Sequence, residues 1–275
     1  MGLIDRHLEI KTPDQINLMR SAGLLVGETL ELLRDATRAG VTTGELDALA
    51  EDHIRSHGGV PSFLDYGHPP FPATICASVN DEVVHGIPGS RELVDGDVIS
   101  IDCGAIVQGW HGDAAITVAI GDVPPEVTEL LRVTEDALWA GMAAARLSGR
   151  VSDISRAVES SVRSQGDYGI LEDYVGHGIG TEMHMAPNVP NVFHRGDRGP
   201  KIVPGLALAV EPMVTLGTSE TEVLEDEWTV VTADGSMAAH FEHTFTVTPD
   251  GLWVLTALDG GEERLAALGA AFAGR

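Results

Sequence analysis

The chain has only two cysteines in 275 residues, Cys76 and Cys103. That excludes a disulfide framework and suits a reducing, cytoplasmic setting. Basic residues are scarce as well: 17 Lys and Arg stand against 42 Asp and Glu, for a net charge of −25. A large nucleic-acid footprint needs clustered positive charge, so DNA is not an expected partner. No apolar run approaches the length of a membrane span. The opening "MGLIDRHLEIKTPDQ" lacks the apolar core of a signal peptide, and Arg6 stands where a myristoylation motif at Gly2 wants Ser or Thr. No Ser-rich linker or low-complexity segment interrupts the chain. What is present is an ordinary globular composition, 43% hydrophobic and 21% charged, long enough to bury a sizeable core. The acidic excess serves solubility and also offers ligands for cations.

Helical periodicity is clear in four places. "TPDQINLMRSAGLLVGETLELLRDATRAG" predicts a helix in which Thr12 and Gln15 form a capping box, Pro13 occupies the first turn and Gly40 closes the end. Ile16, Met19, Val26, Leu30 and Leu33 mark its apolar side. A second helix is predicted over about 43–57, with Leu46, Leu49, Ala50 and Ile54 on one face and Gly58-Gly59 as the stop. A third begins near Pro124-Pro125, with Leu131, Leu138 and Met142 aligned. A fourth covers about 152–165, with Ile154, Ala157, Val158 and Val162. "EDHIRSHG" (51–58) and "ESSVRSQG" (159–166) share Glu, Arg, Ser and Gly at a constant offset of 108. Each follows a long helix and precedes strand-like sequence. The expectation is one α+β domain over 1–275: a short segment 1–11, half-repeats over approximately 12–122 and 123–257, and a tail 258–275. Pro and Gly cluster at 67–72 and 187–205, which predicts loops there.

"SIDCGAIVQGWHGDAA" (100–115) places Asp102 inside an apolar run and Asp113 at the mouth of another. The flanking sequence predicts a hairpin turning near Gln108-Gly109, with the two aspartates opposite each other across the ladder. Facing carboxylates among apolar neighbours repel and require a cation. Four other stretches hold isolated polar residues in tight surroundings: "VVHGIP" has His85, "VGHGIGTEMHMAPNVPN" has His177 and His184, and "AVEPMV" has Glu211. The last, "AHFEHTFTV", has Glu242 between His240 and His243. Singly, such residues are ordinarily structural or solvated. Together, Asp102, Asp113, His177, Glu211 and Glu242 make four carboxylates and one imidazole. That mostly oxygen set suits a pair of divalent ions such as Mn, Fe, Co or Zn. Two ions ~3.5–4 Å apart can hold a bridging hydroxide and polarise a carbonyl together.

In this order, over about residues 12–257, these stretches and "WTVVTADGSMAAHFEHTFTVT" resemble the type I methionine aminopeptidases. The resemblance implies the pita-bread fold, two helix/hairpin halves about a pseudo-two-fold with a dinuclear metal site between them. It implies removal of the initiator methionine from nascent proteins and peptides, with preference for small second residues. Asp113 and Glu242 would bridge both metals, Asp102 would serve one, and His177 with Glu211 the other. A bridging hydroxide would attack the scissile carbonyl with Glu211 as acid/base. His184 would stabilise the oxyanion, and His85 would hydrogen-bond the peptide nitrogen. The methionine side chain would lie among Phe63, Phe71, Cys76, Met183 and Trp228. Asn80 matches a backbone contributor to an accessory monovalent-cation site. The stretch between Tyr66 and Cys76 is longer than usual in the family, which leaves the roles of Tyr66 and His68 open.

Xaa-Pro aminopeptidases and dipeptidases share the metal pattern but usually carry an additional N-terminal domain, and here the first half-repeat uses most of the residues before Asp102. Type II enzymes carry a long insertion before the last glutamate ligand, for which a separation of 31 between Glu211 and Glu242 leaves no room. A non-enzymatic scaffold of this fold would be expected to have lost ligands, whereas all five are present. The implied partners are chains beginning with Met. For ribosome docking, Arg195, Arg198 and Lys201 form the one basic cluster. A monomer is expected.

Overall fold

The computed structural model describes residues 8–274. The readings on residues 1–7, including Gly2 and Arg6, and the last tail position lie outside the described residues.

Helix α1 (Pro13–Ala36) begins at the expected box: Gln15 N–H donates to Thr12 Oγ1 at 3.3 Å, and Thr12 N–H donates to Gln15 Oε1 at 2.8 Å. Ile16, Met19, Val26, Leu30 and Leu33 are all buried. The helix ends before Gly40. Thr37 turns to extended backbone (φ −72°, ψ 114°), and its N–H and hydroxyl both bond the Leu33 carbonyl, so the last turn is capped without glycine. Helix α2 (Thr43–Ser56) opens with a second capping box, Thr42 with Glu45, and buries Leu46, Ala50 and Ile54. Helices α3 (Pro125–Ala144) and α4 (Val151–Arg163) form a second pair. On α3 the buried stripe runs through Leu130, Val133, Ala137 and Leu138, so Leu130 rather than Leu131 faces inward. "EDHIRSHG" and "ESSVRSQG" both fall at the end of the second helix of a pair. A short α5 (Glu262–Ala267) follows the last strand.

The main sheet has nine strands: β1 (Val60–Pro61), β2 (Ile75–Val79), β3 (Val98–Val107), β4 (Trp110–Ala119), β5 (Gly176–Gly178), β6 (Met185–Val189), β7 (Ala207–Val210), β8 (Glu242–Thr248) and β9 (Gly251–Val254). Its order is β1-β3-β4-β8-β7-β5-β6, with β2 beside β3 and β9 beside β8. Every ladder is antiparallel. Two three-stranded sheets flank it. Pro187 belongs to β6, so the loop expected from 187 begins only after Val189. Among the described residues, no helix is long and apolar enough to cross a membrane.

The β3–β4 hairpin turns on Gln108 (φ 51°) and Gly109 (φ 81°), the two left-handed positions of a tight two-residue connection. Its register pairs Gly104 with Asp113 and Asp102 with Ala115. The expected direct opposition of the two aspartates is therefore corrected. A turn closing on 108 and 109 leaves Asp102 two residues further from it than Asp113. The pair is diagonal on one face, still within reach of side chains. Alternation along β3 sends Ile99, Ile101, Cys103 and Ala105 into the core and Ser100 and Asp102 to the other face. Helix α1 lies over β4, and a Cβ on Gly112 would come within 2.7 Å of the Gly23 nitrogen, so only glycine permits that approach. The helices and the apolar faces of the strands share one large core, in which Leu33, Ile99, Ile101, Leu138, Met142 and Phe245 are fully buried.

Candidate metal centre and substrate cavity

The strand order β3-β4-β8-β7-β5 assembles the five expected ligands. Asp102 lies on β3, Asp113 on β4, His177 on β5, and Glu242 opens β8 opposite Ala115. The β8–β7 ladder ends at His243 opposite Val210, which brings Glu242 and Glu211 side by side at its mouth. His177 pairs with Ala209 on the same side. Sequence-distant residues thus become neighbours: Asp102, Asp113, His177 and Glu242 sit on strands that lie close together in the sheet, and Glu211 directly follows β7.

Ligand atoms of Asp113, His177 and Glu242 lie within 4.8 Å of one another, and so do those of Glu211, His240 and Glu242. Glu242 belongs to both groups. Asp102 lines the same cavity outside these two groups. His177 Nε2 stands 3.6 Å from Glu211 Oε1 and 4.0 Å from Asp113 Oδ2, too far for hydrogen bonds. Its Nδ1 lies 3.0 Å from the Gly178 carbonyl, which can only accept. The proton therefore sits on Nδ1, and Nε2 presents a lone pair to the carboxylates, the tautomer a metal ligand needs.

Asp102 Oδ1, Asp113 Oδ1, Glu242 Oε1 and His240 Nε2 are buried without a hydrogen-bond partner among the described residues. An orphaned buried polar group costs about 1–3 kcal/mol, and more when charged. Burial raises the pKa of all four carboxyls, and for Asp113, Glu211 and Glu242 the neighbouring acids add to it; Asp102 is pushed up to about 7. Burial also drives His177 down to about 3. Divalent cations reverse this balance by holding the acids ionised and using the free imidazole lone pair. The donor set therefore fits divalent metal ions.

The cluster lies in a cavity of about 340 Å³ that also holds His85 and His184. His85 adopts a left-handed backbone (φ 61°) and meets Tyr174 and Trp228 edge-on at 5.7 and 5.9 Å. Burial drives it down to about 4. His184 packs T-shaped on His177 at 4.4 Å and accepts a hydrogen-bond partner in the Tyr66 hydroxyl. Phe63, Phe71, Cys76 and Met183 form one buried apolar cluster with Trp228 packed against it. The five expected ligands, His85, His184 and the five residues expected around the methionine side chain all line this one cavity. Burial pushes the Cys76 thiol well up, which leaves it a lining group.

Tyr66, Tyr174 and His240 also line its wall. Tyr66 is fixed by its bond to His184. Tyr174 follows from its place two residues before the Gly-His-Gly stretch. His240 was legible in principle, since it stands two positions before Glu242 and a strand returns to the same face every second residue. Asn80 lies apart from the cavity lining. Its carbonyl accepts the Ala238 N–H, and its amide group bonds Asp97 and Val98. Arg195, Arg198 and Lys201 are exposed; Lys201 pairs with Arg150 at the start of α4, and the Arg198 carbonyl accepts the Ser152 N–H.

Helix pairs over a curled antiparallel sheet, with acids and imidazoles gathered at its mouth, define a metallohydrolase of the pita-bread class. The chain belongs to metallopeptidase family M24, whose family model matches residues 17–249. It is 50% identical over 248 residues to a methionine aminopeptidase of Clostridium acetobutylicum, covering 90% of this chain and 98% of that one. The crystal structure of methionine aminopeptidase from Rickettsia prowazekii superposes with a TM-score of 0.87 at 38% identity, over 90% of this chain and 99% of that one. A prolidase from Pyrococcus furiosus shares the fold alone, with a TM-score of 0.72 at 18% identity over 92% of this chain and 66% of that one.

Proposed function

We propose that the protein removes N-terminal methionine from peptides and nascent chains, with Asp102, Asp113, His177, Glu211 and Glu242 holding two divalent ions. The observation that carries this reading is one cavity that combines orphaned carboxylate oxygens, two further histidines and a buried sulfur- and aromatic-lined recess. When bound, the ions supply Lewis-acid charge and lower the pKa of a coordinated water.

The protein's own residues do the rest. The recess formed by Phe63, Phe71, Cys76, Met183 and Trp228 takes the methionine side chain, whose burial contributes about 1.5–3 kcal/mol. The α-amino group enters among the acids, which confines cleavage to the first residue. With Nδ1 engaged by Tyr66, His184 turns its other nitrogen to the scissile carbonyl oxygen and donates as negative charge develops. His85 hydrogen-bonds the substrate's peptide nitrogen. Glu211, partly open to the cavity, accepts the proton from the attacking water and delivers it to the departing amine. The ion is one of Mn, Fe, Co or Zn, and availability decides among them. A monovalent ion beside Asn80 would use the carbonyl's second lone pair. The setting is the cytoplasm, as a monomer, with Arg195, Arg198 and Lys201 as the face offered to the ribosome.

The test is hydrolysis of Met-Gly-Met-Met beside a matched Xaa-Pro peptide, using metal-stripped protein with each ion added back. Metal-dependent methionine release with the Xaa-Pro peptide intact is expected. Cleavage of the Xaa-Pro peptide instead would keep the metal centre and overturn the specificity.

A further inference from the structure

We propose that His240 is a sixth ligand of the metal centre, an imidazole donor to the cation held between Glu211 and Glu242. The inference rests on the metal-site reading above and adds a residue to it. His240 Nε2 stands 3.8 Å from Glu211 Oε2 and 3.9 Å from Glu242 Oε2. Those separations are too long for hydrogen bonds. They lie inside the span open to two donors of one ion, at most about 4.2 Å when each sits ~2.1 Å from it.

The side chain has no other use for this nitrogen. His240 is 1% exposed, and among the described residues Nε2 has no hydrogen-bond partner although the ring lines the cavity. A buried, unpaired polar atom in a folded protein calls for an explanation, and an ion supplies one. The backbone is held for the task from both sides. His240 N–H donates to Thr117 Oγ1 at 2.9 Å, and the Thr117 hydroxyl donates to the His240 carbonyl at 2.7 Å. His240 also pairs with Met213 in a small flanking sheet, two residues from Glu211. Positioning of this kind places a donor without a search through rotamers.

Glu211 then lies between two imidazoles, with His177 nearest Oε1 and His240 nearest Oε2. The consequence is chemical. Five ligands with one nitrogen make an oxygen-rich centre, whereas a second imidazole shifts one of the two positions towards Co, Zn or Fe and away from Mn.

The experiment uses the metal-stripped full chain and Co(II) as the probe, in wild type, His240→Gln and His240→Ala. Calorimetry gives the affinity, visible absorption reports the coordination, and X-ray absorption counts imidazole scatterers. In His240→Gln one Co(II) should bind at least about 10-fold more weakly, with an altered visible spectrum and one imidazole fewer. Added imidazole should restore the affinity of His240→Ala, a result that a misfolded variant would not give. Wild-type affinity, spectrum and imidazole count in His240→Gln would overturn the assignment of His240 while leaving the five-ligand centre standing. Failure of wild type to bind Co(II) at all would overturn both.

Discussion

The Tyr66 hydroxyl lies 2.7 Å from Nδ1 of His184, with the two rings tilted against each other at 5.3 Å. His184 is exposed, and this bond holds its ring in place. Burial, then Asp113 and Glu182, raise the pKa of the Tyr66 phenol, so the hydroxyl keeps its proton and can donate it. Donation from the hydroxyl to Nδ1 is the arrangement that leaves the His184 proton on Nε2. Tyr66→Phe removes one hydrogen bond, a net contribution of about 0.5–1.5 kcal/mol. The kcat for Met-Ala-Ser should fall about 2- to 10-fold with KM little changed. Steady-state kinetics decide it, and an unaltered kcat would show that His184 needs no such support.

Glu242 belongs to both ligand groups, so its loss should disable the whole centre. Chelation should lower the melting temperature of wild type, because an ion at a hundred times its Kd stabilises by about 2.7 kcal/mol. Glu242→Gln should show no response to chelator or added ion and no peptidase activity. Without metal it should melt at or above metal-free wild type, since one of four mutually repelling acids is gone. A normal metal-dependent melting shift in this variant would remove Glu242 from the centre.

The pH dependence of the metal-free protein follows from the same charges. Between about 4 and 6.5 two effects oppose each other. The folded state holds protons on raised carboxyls such as Asp102, while the unfolded state gains them on histidines such as His85 and His177. Above about 7.5 the unfolded-state histidines have lost nearly all their protons and only the carboxyls count. There the folded state still binds more protons than the unfolded state, on Asp113, Glu211 and Glu242, which burial raises well above their ordinary range, and on the last of Asp102, so stability falls as pH rises. Urea midpoints of chelated protein at pH 7.5, 8 and 8.5 should decline in that order. Saturating Co(II) should abolish the decline, and a rise with pH in the chelated protein would mean that the acids are ionised without metal.

Cys76 and Cys103 are buried, and burial pushes both thiols well above their ordinary range. Iodoacetamide at pH 8 should label neither in the native protein within the time that labels both in urea, and activity should be unaffected. Rapid labelling of Cys76 with loss of activity would make it an accessible participant.

Much of the local structure was legible because it depends on nearby residues. Thr12-Pro13 with Gln15, and Thr42 with Glu45, specify helix starts over one turn. The Gln108-Gly109 turn was legible for the same reason. The register of its hairpin differs by two residues from one that sets Asp102 opposite Asp113, because Asp102 lies two residues further from the turn. The end of α1 was placed at Gly40, whereas the side chain of Thr37 closes it earlier. Leu130 and Leu131 are adjacent apolar residues, and only packing decides which one faces the core.

By itself the sequence determined which chemistry was available: carboxylates and imidazoles isolated in apolar, Gly- and Pro-marked stretches, and a sulfur- and aromatic-rich set for one side chain. Residue type and immediate neighbours carry that information, and neither changes on folding. Only the tertiary structure decided which groups meet. The order β3-β4-β8-β7-β5 is a long-range pairing that no local pattern encodes, and it brings residues 102, 113, 177, 211 and 242 to one mouth. The same pairing brought His240 beside Glu211 and carried Tyr66 from its loop to His184. Those two contacts depend on side-chain direction across separate elements, which is settled by packing.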